Sequence, residues 1–444
     1  MFKHLFFAFV FLALLSTTVF AQYAGMEYYP RGERGGLIMG GVGYSKINDK
    51  SYFAIQFRPE LAIGKLGIGL NVNLLYDTES GHIRSKDWDS GYDYFRILRY
   101  IRWGRKWDPL YARVGTLDAA RLGHGFIMNY YTNEANYDER KIGLAFDVDM
   151  GKFGFESVAS NLGRAELIGF RGYYRPLRGI VNIPLIKNFA VGATFARDFD
   201  PDAWSGTDDG VSAYGFDVEM PILDLEPLNM YSKIYFDWAR IQGFSALEGK
   251  SRSFGAGQAA GISFDWVNFL GIIDLSARVE RRWLGEEFRP AFFDPFYEIQ
   301  RYMVDAGVEL YKTDMLINLD ETKGVFGELY GSLLDNKVRL LGMLTKLDHA
   351  DDQGNMHLAA EALDLIPTLA LHATYDKMRI ETIDDVFTLD NQSIARVGVG
   401  YKVTPYLIMF MDYIWTYVET EPGSRIYKPQ ERVEPRLVFA YEFK

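Results

Sequence analysis

The chain has no cysteine among its 444 residues. That excludes a disulfide framework, a thiolate metal centre and a lipoprotein anchor, so an exported protein of this size has to hold its shape by other means. Helix-length apolar runs are missing after residue 22. No uncharged stretch reaches the ~18 to 20 residues that a membrane-crossing helix needs. Histidine is scarce, with six in the chain, and none stands in a spacing such as H-E-x-x-H. No G-x-S-x-G nucleophile elbow is present. There is no basic run either, and the formal charge of −11 argues against nucleic acid as a partner.

Hydrophobic residues make up 48% of the chain and aromatics 16%, carried by 32 Phe and 29 Tyr. The start, MFKHLFFAFVFLALLSTTVFA, has a basic Lys3, an apolar run from Leu5 to Leu15 and small or modest residues at Val19 and Ala21. It reads as a secretory signal peptide over residues 1–21. Residues 22–34 then form a short periplasmic N-terminal segment, and the folded part is expected over 35–444.

That part carries a repeated period of two. In KLGIGLNVNLLYD, Leu66, Ile68, Leu70, Val72, Leu74 and Tyr76 take every second place, with Gly67, Gly69, Asn71, Asn73 and Asp77 between them. KIGLAFDVDM, GIIDLSARVERRW and IARVGVGYKV repeat the pattern. Strict alternation over eight or more residues predicts β-strands with one face in an apolar medium. A soluble sandwich could also alternate. However, these strands run to about 9 to 13 residues against the ~5 to 6 usual in soluble folds. That length suits a tilted membrane strand of ~9 to 11 residues. In lipid every backbone N–H and C=O needs a partner inside the protein, so such strands have to close into a barrel.

Turn lengths fit a barrel. Tight joins at Gly64-Lys65, Gly151-Lys152, Asp335-Asn336 and Thr404-Pro405 alternate with long polar segments such as 80–93, 198–210, 285–296 and 420–431. Counted from Gly36 with DMLINLD (314–320) as a strand, the parity gives 22 strands, within a range of 16 to 22. The last segment, EPRLVFAYEFK, alternates Leu437, Phe439, Tyr441 and Phe443, like the aromatic-ending strand that outer-membrane barrels present to their assembly machinery. It departs from that pattern in ending on Lys444.

Signal peptide, dyad-repeat strands, aromatic content and terminal strand together resemble the porin-like outer-membrane β-barrels of diderm (Gram-negative-type) bacteria, over residues 35–444. The resemblance implies an all-β, antiparallel up-and-down transmembrane barrel with short periplasmic turns and longer outer loops. It also implies outer-membrane lipid and the assembly machinery as partners, small hydrophilic solutes as cargo, and a homo-oligomer as a further expectation. No cofactor or metal is expected.

Five groups of residues are candidates for function. The segment RVGTLDAARLGHGFIMNYYTN interrupts the strand pattern with three glycines. It reads as an inward-folded loop over 116–139 that narrows the lumen through Asp118, Arg121, His124 and Asn129, or else as an ordinary outer loop. With lipid on the apolar faces, Lys141, Asp147, Asp149, Lys233, Asp237, Arg278, Glu280, Arg282, Arg396 and Lys402 point inward as channel-lining charges of mixed sign. The row Arg96, Arg99, Arg102, Arg105 and Lys106 reads at its later end as cations snorkelling at the periplasmic interface beside Trp103 and Trp107. Asp198, Asp200, Asp202, Gly206, Asp208 and Asp209 open like a calcium loop. Ala203 stands where glycine is needed, however, and no glutamate closes the loop, so it reads as a solvated acidic surface loop. His124 is the one candidate general base, with no serine and carboxylate to complete a hydrolase site.

The expected function is therefore porin-like passage of small hydrophilic solutes, without catalysis. Two alternatives stay open: a structural or surface-binding barrel with a blocked lumen, acting through loops such as 198–210 and 285–296, and an outer-membrane hydrolase.

Overall fold

A computed structural model describes residues 36–443 apart from 48–49, 89–93, 95–96, 107, 136–140, 165, 203–208, 306–307, 335–336, 349–353, 383, 405–406 and 421–426. The signal peptide, the segment 22–34, Arg96, Trp107, Ala203, Gly206, Asp208 and Lys444 lie outside the described residues.

The first strands are β1 (Gly36–Ile47), β2 (Lys50–Ile63), β3 (Leu66–Leu70), β4 (Val72–Asp77), β5 (Leu98–Trp103), β6 (Leu110–Gly115), β7 (Gly143–Asp149) and β8 (Phe153–Ala159). There follow β9 (Leu167–Tyr174), β10 (Ala190–Asp198), β11 (Val211–Leu225), β12 (Met230–Ser245), β13 (Lys250–Phe269), β14 (Ile273–Leu284), β15 (Tyr302–Asp305) and β16 (Val308–Tyr311). The chain ends with β17 (Thr322–Leu333), β18 (Val338–Leu347), β19 (Gly354–Ile366), β20 (Leu369–Ile380), β21 (Ser393–Thr404), β22 (Leu407–Glu419) and β23 (Tyr427–Phe443).

All of these except β15 and β16 form one 21-stranded sheet. Neighbours along the chain pair antiparallel, and β1 pairs with β23 from Gly36↔Phe443 to Gly43↔Arg436, which closes the barrel. β3 and β4 hold one register against β2, with Leu61↔Ile68 continuing into Ile55↔Leu74. They are therefore a single pass, interrupted at Asn71, whose N–H donates to the Ile97 carbonyl at 2.7 Å. The 21 strands thus cross the wall 20 times, an even number, as a closed antiparallel ladder requires. The strand count falls in the expected range. DMLINLD is not part of the wall: Asp314–Leu316 is a 3-10 turn, and β15 and β16 form a separate hairpin beside it.

The alternation has the expected cause. On β14, Val279 is 52% exposed and Glu280 only 2%. Val279, Val325, Leu329, Leu340, Leu344, Leu358, Val397, Val399 and Tyr401 belong to a belt of exposed apolar side chains that runs round the outer wall. In water that belt would be an aggregation liability; in hydrocarbon it is the favourable solvent-facing surface. The stretch KLGIGLNVNLLYD behaves the same way, with Tyr76 facing out and Leu75 buried.

Candidate functional site

The described residues of two long connections turn inward instead of leaving the barrel: a strap, 116–142, between β6 and β7, and a second segment, 285–321, between β14 and β17. The strap is folded by its glycines. Gly123 and Gly125 have φ of 55° and 85°, and a Cβ on them would sit 2.8 Å from Arg171 Cδ and 2.7 Å from Asn129 Oδ1. Only glycine combines that backbone with that approach. Tyr130, also at positive φ (53°), is held in the left-handed region although it has a Cβ. The strap doubles back on itself, with Ala120 N donating to Tyr131 O at 2.6 Å and Tyr131 N to Ala120 O at 3.0 Å. It is stitched to the second segment by Asn129 N to Phe293 O at 3.1 Å, Phe293 N to Ile127 O at 3.2 Å and Ala291 N to Phe126 O at 2.8 Å.

Small inward residues on the wall make room for this insert. Ala145, Ala196, Ala213, Ala239 and Ala259 share one buried cluster with Leu122, Phe126, Ile127 and Met128 of the strap and with Phe288, Phe292, Phe293 and Tyr297 of the second segment. The aromatic residues of 285–296 that suggested a surface for partners are therefore buried inside the barrel. Leu316 packs into the same cluster, with Ile317 and Leu319 against it. This explains the misread strand: its apolar residues alternate toward the interior packing and not toward lipid.

Charge fixes the insert to the wall. Arg121 reaches Glu328 of β17 with both guanidinium NH2 groups, at 3.1 and 2.6 Å, and donates Nε–H to Asn129 Oδ1 at 2.7 Å. The Tyr130 hydroxyl donates to the same Glu328 at 2.6 Å, and Arg278 of β14 adds a contact at 3.2 Å while also donating to the His124 carbonyl. Both ring nitrogens of His124 face carboxylates, Asp237 at 3.1 Å and Glu219 at 3.0 Å, and its ring stacks on Tyr235 at 3.9 Å. Asp118 holds Arg113 at 2.6 Å and Arg99 at 3.5 Å. All four strap residues singled out from the sequence thus lie inside the barrel, bonded to the wall or to the strap itself.

The second segment has its own ionic knot. Arg301 contacts Glu166 at 2.6 Å, Glu298 at 3.4 Å and Asp198 at 3.3 Å, and donates to the carbonyls of Pro201 and Asp200. Lys141 joins Glu298 at 2.6 Å and also binds Glu166, and Tyr131 donates to Glu298. Burial opposes the charge on Glu166, but Lys141 and Arg301 outweigh it and hold this carboxyl down at about 2. On the same segment, burial pushes the Lys312 amine down to about 8 against the pull of Asp294 at 2.6 Å.

The expected lining charges all sit on inward faces or at their ends, mostly paired. Asp147 meets Lys106 at 2.9 Å, Asp149 meets Arg175 at 2.8 Å, Lys233 meets Glu219 at 2.6 Å, and Glu280 takes Arg282 at 2.6 Å and the Tyr235 hydroxyl at 2.8 Å. Arg396 and Lys402 are half-buried on β21. Lys106 departs from the snorkelling expectation. It turns into the barrel between Asp147 and Glu156 and donates to the Arg121 carbonyl at 3.2 Å, because two interior carboxylates offer more than the interface does.

Sequence reading missed Glu328, Arg301, Glu298, Glu166, Glu219 and Arg171. The inward parity of GVFGELYG on β17 would have marked Glu328; Glu298 and Arg301 lie in a segment with no period to read.

As a hydrolytic base His124 is poorly placed, since both of its nitrogens are committed to carboxylates. Burial disfavours its charge, but Asp237 and Glu219 override this and raise its pKa above the ordinary imidazole value. The raised folded-state value means the stabilisation is complete below the unfolded pKa of ~6.5 and is lost as pH climbs through the folded one. Amide exchange in residues 117–131 is therefore expected to be slow at pH 6 and to accelerate at alkaline pH relative to the wall strands. In His124→Gln this pH dependence should flatten; an unchanged profile would remove His124 as its source.

These features define the chain as an antiparallel β-barrel of the outer-membrane kind with an internally folded strap. No family model and no curated protein matches it. Among solved structures it is similar to CdiB from Acinetobacter baumannii (8% identity, TM-score 0.30), covering 92% of this chain and 60% of that one. It is also similar to the siderophore receptor PirA from Acinetobacter baumannii (8%, TM-score 0.35, 92% and 80% covered) and to OccK5 from Pseudomonas aeruginosa (9%, TM-score 0.31, 92% and 97% covered). The chain thus spans about 60% of the length of CdiB. The fold assignment rests on this chain's own ladder and exposed apolar belt.

Proposed function

We propose that this barrel is a narrow outer-membrane channel for small hydrophilic solutes, constricted by the strap 116–142 and the segment 285–321. The observation that supports it most is that the strap is tied across the interior by ionic and hydrogen bonds to Glu328, Asp237 and Glu219, where a purely structural filling would be apolar. Charged groups of both signs at a constriction set the local field that a permeating solute meets.

Planar-bilayer recording of the purified protein is the test. A small unitary conductance is expected, rising several-fold when residues 116–133 are deleted. A folded barrel that carries no current in either form would sink the channel reading.

A second reading, a barrel with a closed lumen acting through its rim, is favoured by the extent of interior burial. His372 and Asp412 on the inward faces of β20 and β22, Arg339 on β18, and His357 on β19, whose ring stacks on Tyr130 of the strap at 4.4 Å, are also buried. Under that reading the intact protein is silent and only the deletion conducts.

A further inference from the structure

The loop between β10 and β11 brings Asp200 and Asp202 from one flank to Asp209 from the other, and one carboxylate oxygen of each lies within 4.8 Å of the others. The arrangement is not the linear calcium loop that the D-x-D-x-D start suggested. Asp198 leaves that set, because it accepts from the Tyr297 hydroxyl at 2.8 Å and faces Arg301 at 3.3 Å. Asp209, eleven positions on, takes its place in space. Nor is the loop a solvated acidic surface, since Asp202 and Asp209 are both buried.

Asp209 carries the argument. It is 2% exposed, and neither of its carboxylate oxygens has a hydrogen-bond partner among the described residues. The inner oxygen of Asp200, Oδ1, is also buried without one. The Tyr311 hydroxyl, with one proton to give, donates to Asp202 Oδ2 at 3.4 Å and also faces Asp209, so a single proton serves two carboxylates. Three arginines stand nearby among the described residues: Arg197, whose guanidinium lies beside Gly210 and over the Phe199 ring, Arg164 and Arg301. Arg164, half-exposed, lies 3.4 Å from the other oxygen of Asp200, and Arg301 is already committed to Asp198, Glu166, Glu298 and backbone carbonyls. A buried, unpaired carboxylate is costly unless something neutralises it.

We propose that Asp200, Asp202 and Asp209 bind a calcium-sized divalent cation at the rim of the barrel, tying the two flanks of the 199–210 loop together. Hard oxygen donors select a hard cation. Three protein carboxylates gathered at one spot are a calcium-type donor set, since Mg²⁺ usually keeps several waters and takes one or two carboxylates; water would complete the six to eight ligands of Ca²⁺.

The probe is Tb³⁺, a calcium substitute whose emission is sensitised by a nearby tyrosine; Tyr311 supplies the antenna. Full-length protein folded in detergent and stripped with EGTA should give saturable tyrosine-excited emission at one ion per chain, displaced by Ca²⁺. Asp209→Asn and Asp202→Asn should each weaken binding at least tenfold, while Glu79→Gln, an exposed carboxylate on another loop, should titrate as wild type. Ca²⁺ should also raise the unfolding midpoint of the unmutated protein, a readout that does not depend on the variants folding. Absence of saturable emission up to millimolar Tb³⁺, or variants that titrate like wild type, would overturn the site. A wild-type midpoint indifferent to Ca²⁺ would overturn it too, as would emission that persists with both aspartates replaced. A proton shared between Asp200 and Asp202 would then be what neutralises the cluster.

Discussion

Glu328→Ala is expected to release the strap and to destabilise the barrel by about 3–5 kcal/mol, the range for breaking a buried charge pair from one side. Glu328 accepts from Arg121 at 3.1 and 2.6 Å, from Tyr130 at 2.6 Å and from Arg278 at 3.2 Å. Truncation removes the acceptor that two guanidinium groups and a phenol share in the buried interior. Arg278 keeps the His124 carbonyl and a contact to Glu280 at 3.7 Å, and Arg121 keeps Asn129 and the face of the Tyr130 ring at 4.9 Å. Guanidinium unfolding in detergent, followed by gel mobility, reads the stability loss, and bilayer recording reads a larger or noisier conductance. Glu328→Gln keeps the acceptor oxygen and should lose roughly half as much, since hydrogen bonds to charged groups are worth more than neutral ones. A Glu328→Ala protein as stable and as quiet as wild type would mean that the strap is held by its apolar contacts alone.

Arg301→Ala should have a comparable effect on the other insert. Without the guanidinium, Glu166, Glu298 and Asp198 keep Lys141, two tyrosine hydroxyls, the Asn161 amide, the Asp200 N–H and a distant Arg164, and the carbonyls of Asp200 and Pro201 lose the Arg301 donor. A loss of about 3–5 kcal/mol is expected, together with protease cleavage inside 285–321, which the intact protein resists. Arg301→Lys should rescue little, because one ammonium cannot reproduce a fork that serves three carboxylates and two carbonyls. Full rescue by lysine would reduce the knot to simple charge balance.

The two substitutions also separate the inserts. Glu328 acts on the strap through β17, and Arg301 acts on the second segment through the 160–166 and 199–210 loops. If the inserts form one unit through Asn129, Phe293 and Ala291, the double variant should lose less than the sum of the singles.

The barrel itself was readable from the chain. A side-chain period of two depends only on backbone geometry, so KLGIGLNVNLLYD and GIIDLSARVERRW announce their lipid and interior faces without any knowledge of their neighbours. The inward parity of Asp147, Asp237, Arg278 and Glu280 followed from the same rule, as did the alternation of short and long connections. Where apolar residues had another place to go, the rule misled: DMLINLD alternates, yet its residues pack on Phe and Tyr side chains inside the barrel. Lys106 looked like an interface cation until Asp147 and Glu156 were seen beside it.

What pairs with what was decided only in three dimensions. Arg121 and Glu328 are 207 positions apart, and Tyr131 and Glu298 are 167 apart. Such partners meet because the barrel closes and its loops fold back through the lumen, and no local pattern encodes that. Which face each strand residue takes was decided by its place in the chain alone, since that depends on the residue's own backbone. Tertiary structure decided whether the interior charges would line open water or tie down an insert, since Coulomb and hydrogen-bond energies depend on distances set by the whole ring of strands.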